Sequence, residues 1–260
     1  MLTSDQMAHF HAFGFLVLRQ LLTPSEVAEM KREVDQIMTE QRGGSPFDPT
    51  EAQEVQPFFE RRPFLAQLVE DDRIYSLGED LCGPDFILDG TEGSLRVGDT
   101  LWHGGSSLYE QLLEIKIAFY VDPLTKDTGC LRVIPGSHRP HSPDHFAILR
   151  PRNDDPDFRP FGMAPCEIPC VPLETEPGDV VVFPEDLLHA SFGGAPGRQQ
   201  HAVNFITNPK TDEQLAVLHE LYDRHRFGFH PAESYIHSDR PRLRRIVSRL
   251  VGQGFETSKV

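Results

Sequence analysis

The most informative side chains of this sequence could bind a metal ion and an organic acid. His103 lies in the run Trp-His-Gly-Gly (102–105), and His189 follows the run Pro-Gly-Asp-Val-Val-Val-Phe (177–183). Arg198 comes shortly after His189. Neutral imidazoles bind Fe(II) well and leave coordination positions open. A planar guanidinium can hold a carboxylate through two parallel, charge-assisted hydrogen bonds. These residue types indicate chemistry at a metal centre with a carboxylate-containing ligand.

These motifs resemble those of the phytanoyl-CoA dioxygenase family, whose members use Fe(II), 2-oxoglutarate and O2. The resemblance extends over most of the chain through three further runs: Phe-Gly-Phe-Leu-Val-Leu (13–18), Leu-Leu-Thr-Pro-Ser-Glu (21–26) and Gly-Cys-Leu-Arg-Val-Ile-Pro-Gly-Ser-His (129–138). It implies that His103 and His189 are iron ligands. It also implies that Arg198 binds the far carboxylate of 2-oxoglutarate.

One position departs from the family pattern. The family has a carboxylate two residues after the first histidine, and this sequence has Gly105 there. The departure resembles the His-X-Gly and His-X-Ala motifs of related iron and 2-oxoglutarate halogenases, in which a halide occupies the vacated site. The resemblance therefore implies an open position for chloride or bromide at Gly105. Asp99 and Glu110 are weaker candidates for a substitute carboxylate ligand.

Three functions are compatible with these motifs. The first is halogenation of an unactivated C–H bond in a small metabolite, which Gly105 favours. The second is hydroxylation by an enzyme that tolerates Gly105, recruits another carboxylate or water, or derives from a parent with aspartate there. The third is a catalytically silent jelly roll that binds a metal. Intact His103, His189 and Arg198 argue against the third function.

Two further residues are candidates for the cosubstrate site. Ser191 lies two residues after His189, where relatives carry a hydroxyl that hydrogen-bonds the cosubstrate carboxylate. Lys116 is a candidate for a second cationic contact. His138, in a Pro-Gly turn context, is expected to be structural. Trp102 is expected to pack beside the first iron ligand.

The elements that position these residues are predicted from residue patterns. Short strand-like runs between residues 86 and 207 are separated by Gly, Pro, Asp and Asn, a pattern typical of a jelly roll. The predicted fold class is mainly β with flanking helices and a double-stranded β-helix, cupin-like core. We predict one domain over 1–260, with a helical region over 1–82, the jelly-roll core over 83–208 and a second helical region over 209–260.

Capping signals predict where the N-terminal helices begin. Thr3 to Gln6 and Thr23 to Glu26 both have capping-box spacing, and Pro24 occupies the first helical position of the second helix. The first helix is expected to end near Gly14. Residues 63–81 are predicted to form a further helix.

Alternation along two predicted strands indicates which side chains share a face. In residues 114–122, one face is apolar and Lys116 lies on the other; the apolar residues are Ile115, Ile117, Phe119 and Val121. In residues 198–207, Arg198 shares its face with Gln200 and Asn204, opposite His201. If Arg198 points into the barrel, His201 must point away from it.

Composition limits the partners that we expect. The 260 residues carry a net charge of −15, from 25 basic and 40 acidic side chains, which argues against nucleic-acid and membrane partners. No long apolar run or leader-like N-terminus is present, so a cytoplasmic location is expected. The four cysteines form no CxxC pair. The expected partner is a small-molecule substrate, free or carrier-borne; no pattern indicates an oligomeric state.

Overall fold

Ten β-strands form the centre of this computed structural model, which describes residues 1–104, 111–140, 144–150, 157–224 and 230–260. In chain order, the strands are β1 (Leu16–Leu18), β2 (Gln53–Val55), β3 (Ile87–Arg96), β4 (Thr100–His103), β5 (Glu114–Phe119), β6 (Leu131–Val133), β7 (Val171–Leu173), β8 (Val180–Pro184), β9 (His189–Ser191) and β10 (Arg198–Ile206).

The described strands pair into two antiparallel sheets. The larger sheet has the order β1-β8-β5-β10-β3-β2, and the smaller sheet has the order β4-β9-β6-β7. The predicted fold class, mainly β with a double-stranded β-helix core, is confirmed. Two strands from residues 1–82 form the edges of the larger sheet. β1 agrees with a short strand predicted at residues 15–18, whereas β2 lies in residues 43–56, which the sequence predicts as a loop. The division of the chain at residues 82 and 208 stays a prediction.

Helices flank the sheets. Those of the described residues are α1 (Ser4–Phe13), α2 (Pro24–Gln41), α3 (Pro63–Glu70), α4 (Asp72–Cys82), α5 (Asp212–Arg224), α6 (Glu233–Ile236) and α7 (Pro241–Gly252). None of them, over the ranges that the structure covers, is long and apolar enough to cross a membrane.

Both predicted capping boxes are present. At the start of α2, Thr23 Oγ1 accepts a hydrogen bond from the Glu26 amide, and the Glu26 carboxylate accepts one from the Thr23 amide at 2.7 Å. At the end of α1, Gly14 adopts a left-handed conformation with φ of 83°. The ring of His138 lies so close to Gly14 that a Cβ atom there would collide with it. This contact agrees with a structural role for His138.

The helix predicted over residues 63–81 is divided in two. Asp71 has an extended backbone with ψ of 136°, which ends α3. Its carboxylate then accepts a hydrogen bond from the Arg73 amide at 2.9 Å and caps α4. Aspartate is suited to this position because its short side chain accepts a hydrogen bond from a nearby backbone amide, which favours a helix start over a continuous helix.

The two faces of the larger sheet contact different cores. The outer face packs against the helices and includes Ile115, Ile117, Phe119 and Val121, as the alternation predicted. The inner face packs against the smaller sheet and includes Ala118, Tyr120, Val181 and Phe183. His201 is fully buried on the outer face, where its ring stacks on Phe58 at a centroid distance of 5.2 Å. His201 therefore points away from the barrel interior, as predicted.

Candidate functional site

The two predicted iron ligands lie side by side on neighbouring strands of the smaller sheet. His103 is the last residue of β4 and His189 is the first residue of β9, and the two are paired in antiparallel register. Their ring centroids are 3.9 Å apart, and the ring planes are inclined by 54°. Directly opposed residues of an antiparallel pair project to the same face of a sheet. The strand register therefore brings the two imidazoles together.

Hydrogen bonds to the backbone select the same tautomer in both imidazoles. Nδ1 of His103 lies 2.8 Å from the carbonyl oxygen of Leu101, and Nδ1 of His189 lies 2.7 Å from that of Leu187. Because a carbonyl oxygen can only accept, each Nδ1 carries the proton and donates it. Each Nε2 then presents a lone pair, the form in which histidine binds a metal ion.

The surroundings keep both imidazoles neutral. Burial lowers the pKa of His189 well below its ordinary value, and repulsion from a protonated His103 and from the Lys116 ammonium would lower it further. The atoms packed around the ring also lower the pKa of His103, although the residue is exposed to solvent. A neutral ring can accept a metal ion without first losing a proton.

Gly104 allows the end of β4 to approach the chain that leads into β9. Its φ is 107°, and a Cβ atom there would come within 2.5 Å of the Leu187 oxygen and 3.0 Å of the Glu185 oxygen. Glycine is the residue that tolerates both the left-handed backbone and this close contact. Gly104 thus helps to position His103 beside the second histidine.

The third ligand position is not part of the described structure. Gly105, predicted as the open halide position, lies outside the described residues, as does Glu110. Asp99 accepts a hydrogen bond from the Gly193 amide at 2.8 Å. Within the described ranges, no three His, Cys, Asp or Glu side chains are grouped closely enough to hold a metal ion. The open position at Gly105 stays a prediction.

Arg198 supplies a half-buried positive charge on the opposite sheet. It is the first residue of β10, and its guanidinium packs against Gly129 and Gly194, where a Cβ atom would collide with Nη1. Nη1 is buried and has no hydrogen-bond partner among the residues described. Burial lowers the pKa of this group, but arginine remains charged. Since buried polar atoms are normally paired, this cation indicates an anionic ligand.

Two other predicted residues lie around this arrangement. The Ser191 hydroxyl donates a hydrogen bond to the Gly129 carbonyl at 2.8 Å, so it is joined to the loop that contacts Arg198. Its role as a cosubstrate contact stays a prediction. Trp102 is fully buried on the far side of the smaller sheet, where its Nε1 donates to the Pro165 carbonyl at 2.8 Å. Trp102 therefore packs behind His103, the first predicted iron ligand.

Lys116 is held by two carboxylates on the inner face of the larger sheet. Its Nζ lies 2.9 Å from Glu92 and 2.7 Å from Glu185. Burial by itself lowers the pKa of Lys116, but the two carboxylates outweigh it and the net shift is upward. The ammonium is thus engaged within the protein. Its predicted role as a second contact to the cosubstrate remains untested by this arrangement.

A buried pair of carboxyl groups lies near this ion pair and was not identified from the sequence. Asp89 and Glu114 are almost fully buried and share a hydrogen bond, which requires a proton on one of them. Burial raises the pKa of Asp89 to about 7, even though the hydrogen bond to Glu114 opposes the shift. A sequence signal existed for Glu114, which alternates with Ile115 and therefore shares a face with Lys116.

Comparison with known proteins identifies a family. The family model described as phytanoyl-CoA dioxygenase (PhyH) matches residues 10–195 of this chain. An ectoine dioxygenase from Sphingopyxis alaskensis is 21% identical over 217 residues, which cover 74% of this chain and 71% of that protein. An uncharacterized protein from Mycobacterium tuberculosis is 31% identical over 114 residues, or 43% of this chain. The match spans 35% of the length of that relative.

Solved structures with the same fold include metal- and 2-oxoglutarate-bound proteins. HygX from Streptomyces hygroscopicus, determined with nickel and 2-oxoglutarate, has a TM-score of 0.63 and 18% identity, and the match covers 80% of this chain and 88% of HygX. SnoN, a non-heme α-ketoglutarate-dependent epimerase from nogalamycin biosynthesis, has a TM-score of 0.57 and 17% identity, with 78% and 81% covered. At these identities the likeness establishes the shared fold.

Proposed function

This chain belongs to the phytanoyl-CoA dioxygenase family, and from that premise we propose that it is an Fe(II)- and 2-oxoglutarate-dependent oxidative enzyme. His103 and His189 would hold the metal through Nε2, and Arg198 would bind the far carboxylate of the cosubstrate. One observation carries the proposal: both Nδ1 atoms are tied to backbone carbonyls, so both Nε2 atoms are free for a metal ion. The residues present therefore fit the cofactor that the family uses.

When bound, Fe(II) and 2-oxoglutarate supply, together with O2, the oxidising power that attacks an unactivated C–H bond. The chain itself positions these groups. The two imidazoles are oriented by their backbone hydrogen bonds, and the unpaired Nη1 of Arg198 is available to a carboxylate. The apolar inner core, which includes Phe183 at 4.8 Å from His189, limits the access of water to His189.

We further propose that the reaction is halogenation. Glycine at position 105 has no side chain that could occupy a coordination site, which leaves space for chloride or bromide. In the part of the chain that the structure describes, no carboxylate completes a three-residue metal site with the two histidines. The substrate would be a small metabolite, free or carrier-borne.

A hydroxylase is the second candidate, and Glu185 is the observation that favours it. The Glu185 backbone packs against Gly104, and its carboxylate lies close enough to His103 to oppose the lowering of the His103 pKa that burial causes. Lys116 holds this carboxylate at 2.7 Å. Release of Glu185 from Lys116 would offer a carboxylate to the metal in place of the missing side chain.

Anaerobic titration of the apoprotein with Fe(II) and 2-oxoglutarate tests these proposals. We expect a visible metal-to-ligand charge-transfer band that is lost in His189→Ala and kept in the matched surface variant His11→Ala. Chloride is expected to shift the band in the native sequence but not in Gly105→Asp, where a carboxylate would fill the position. A normal band that chloride does not change would favour the hydroxylase, and no band would favour a silent metal-binding jelly roll.

Glu185→Gln separates the two oxidative functions. If halide occupies the open position, Glu185→Gln should leave both the Fe(II) affinity and the chloride response close to those of the native protein. If Glu185 is the substitute ligand, the variant should bind Fe(II) more weakly and should gain a chloride response. The second result would contradict halogenation by the native chain.

A further inference from the structure

Acidic and amide side chains gather around Lys116 on the inner face of the larger sheet. We refer to this group as the acidic zone, and it consists of Asp89, Glu92, Glu114, Glu185 and Asn204. These residues come from β3, β5 and β10 and from the segment after β8, so four parts of the chain converge. Asn204 is directly opposite Lys116 in the strand register, which places both on the same face.

The acidic zone carries more negative charge than Lys116 can balance. Lys116 forms ion pairs with both Glu92 and Glu185, so among the described residues these two carboxylates share a single cation. The hydrogen-bonded carboxyl groups of Asp89 and Glu114 add two further buried acidic side chains to the same face. Uncompensated charge in a buried position is unfavourable unless a ligand or ion pairs with it.

The unpaired atoms of the acidic zone are hydrogen-bond acceptors. Asp89 is 3% exposed and Asn204 is 2% exposed. Neither Oδ2 of Asp89 nor Oδ1 of Asn204 has a partner within the described part of the chain. The buried unpaired atom at the cosubstrate end of the same face, Nη1 of Arg198, is instead a donor. At one end of the inner face, Arg198 has an unpaired donor that can bind an anion. At the other end, Asp89 and Asn204 have unpaired acceptors that can bind a cation.

The acidic zone adjoins the candidate metal site. Lys116 is opposite Phe183 in the register of β5 and β8, and the Phe183 ring lies 4.8 Å from the ring of His189. Arg198 and Asn204 lie on the same face of β10, separated by about 20 Å at ~3.3 Å per residue. The two residues are therefore far enough apart to contact different molecules.

We propose that the substrate carries an ammonium or guanidinium group, which Asp89, Glu92 and Asn204 bind in the acidic zone. This inference rests on the proposed function, because it assumes that the molecule to be oxidised lies beside the metal. A cationic group supplies the donors that the unpaired acceptors lack, and it offsets the remaining negative charge. A carboxylate or phosphate at the same position would be repelled. The acidic zone therefore selects for amines and against anionic metabolites.

Three probes of matched shape test the inference: cyclohexylmethylamine, cyclohexylmethanol and cyclohexanecarboxylate. Their affinities are measured by anaerobic calorimetry at pH 7.5, with the apoprotein and with the protein loaded with Fe(II) and 2-oxoglutarate. We expect the amine to bind about tenfold or more tightly than the alcohol, as charge-assisted hydrogen bonds predict, and the carboxylate not to bind. Glu92→Gln and Asp89→Asn should each remove most of this preference, whereas the exposed variant Glu79→Gln should retain it.

Other outcomes have distinct meanings. Equal affinity for the amine and the alcohol, no binding of the amine, or an amine preference that survives both substitutions would overturn the cationic-substrate inference. If Glu92→Gln weakens Fe(II) binding and no amine preference exists, the acidic zone serves only to balance the charge of the metal, and the inference is again wrong. Failure of the charge-transfer band, with an amine preference in the apoprotein, would instead overturn the proposed function alone.

Discussion

At the scale of single residues, the candidate site depends on small local features that leave reactive atoms free. The two histidines each use one ring nitrogen for a backbone carbonyl, and this leaves the other nitrogen for a metal ion. The position of the Arg198 guanidinium depends instead on Gly129 and Gly194, because a Cβ atom at either residue would collide with it. Both features can be changed without altering the functional side chains themselves.

Gly194→Ala is expected to weaken 2-oxoglutarate binding through Arg198. Gly194 has no left-handed backbone requirement, but a Cβ atom there would collide with Nη1 of Arg198. Displacement of one charge-assisted hydrogen bond should raise the Kd for 2-oxoglutarate by about tenfold, with Fe(II) affinity unchanged. Calorimetry of both ligands measures this, and Gly252→Ala, where no neighbouring atom lies within 4 Å of a Cβ, is the control. Equal loss of Fe(II) affinity would show that the substitution disturbs the whole site.

His201→Phe is expected to make the protein less sensitive to acid. Burial lowers the pKa of His201 to about 3, whereas an unfolded histidine has an ordinary value of 6.5. Below pH 6.5, residue 201 binds a proton in the unfolded chain but not in the native chain, so the native protein loses stability as the pH falls. Between pH 6.5 and 5 this contribution is about 2 kcal/mol.

The measurement for His201 is urea denaturation of both proteins over this pH range. Phenylalanine preserves the stacked ring and cannot bind a proton, so the difference in unfolding free energy between the two proteins should change by about 2 kcal/mol. His11→Phe, at an exposed position, is the control. Parallel pH curves for native protein and His201→Phe would contradict the argument.

At the scale of elements, strand register decides which distant residues meet. The antiparallel pair of β4 and β9 unites His103 with His189, and the pairs of β5 with β8 and β10 surround Lys116 with polar and apolar neighbours. Lys116 also joins β3 to the end of β8 through Glu92 and Glu185. The two ion pairs of Lys116 therefore link β5 to β3 and to the segment after β8.

Lys116→Met is expected to destabilise the protein by about 3 kcal/mol or more, because it leaves two largely buried carboxylates without their shared cation. The side chains of Lys116, Glu92 and Glu185 are 12%, 13% and 15% exposed. The matched control is Lys210→Met, since Lys210 pairs with Asp85 at a position where its side chain is 60% exposed. Its loss should cost about 1 kcal/mol or less. Urea denaturation at pH 7.5 measures both, and similar losses would contradict the buried-pair argument.

Local sequence patterns predicted the helix caps and the strand faces, which depend on residues close together in the chain. The capping boxes at Thr3 and Thr23, the end of α1 at Gly14 and the two faces of β5 all follow from residue type and spacing. The break at Asp71 was missed, because a capping carboxylate competed with an otherwise continuous helical pattern.

The acidic zone was also missed, for reasons that lie beyond local sequence. A register shift occurs in the pairing of β10 with β3 beside Asn204, so simple alternation does not place Asp89. Glu185 follows the end of β8, where alternation no longer applies. By contrast, the two candidate metal-binding histidines and Arg198 were predicted from motifs that resemble a family, and the structure brings the two histidines together.

At the scale of the whole molecule, the proposed ligands would connect the two sheets. Both histidines belong to the smaller sheet, whereas Arg198 begins β10 in the larger sheet. A cosubstrate that contacts the metal at one end and Arg198 at the other would link the sheets across the barrel. Ligand binding should therefore stabilise the folded chain, and the two ends of the cosubstrate should contribute separately.

Fe(II) alone is expected to raise the Tm, and 2-oxoglutarate added after Fe(II) is expected to raise it by a second step. Anaerobic scanning calorimetry measures both increases. A ligand at 100 times its Kd adds about 2.7 kcal/mol, which corresponds to about 5–10 °C for a chain of this size. Arg198→Ala should keep the step due to Fe(II) and lose most of the step due to 2-oxoglutarate, because only one end of the cosubstrate remains held. Arg249→Ala, at an exposed position of α7, should keep both steps. An undiminished 2-oxoglutarate step in Arg198→Ala would mean that the cosubstrate does not bridge the sheets, and its carboxylate would then have to be bound elsewhere.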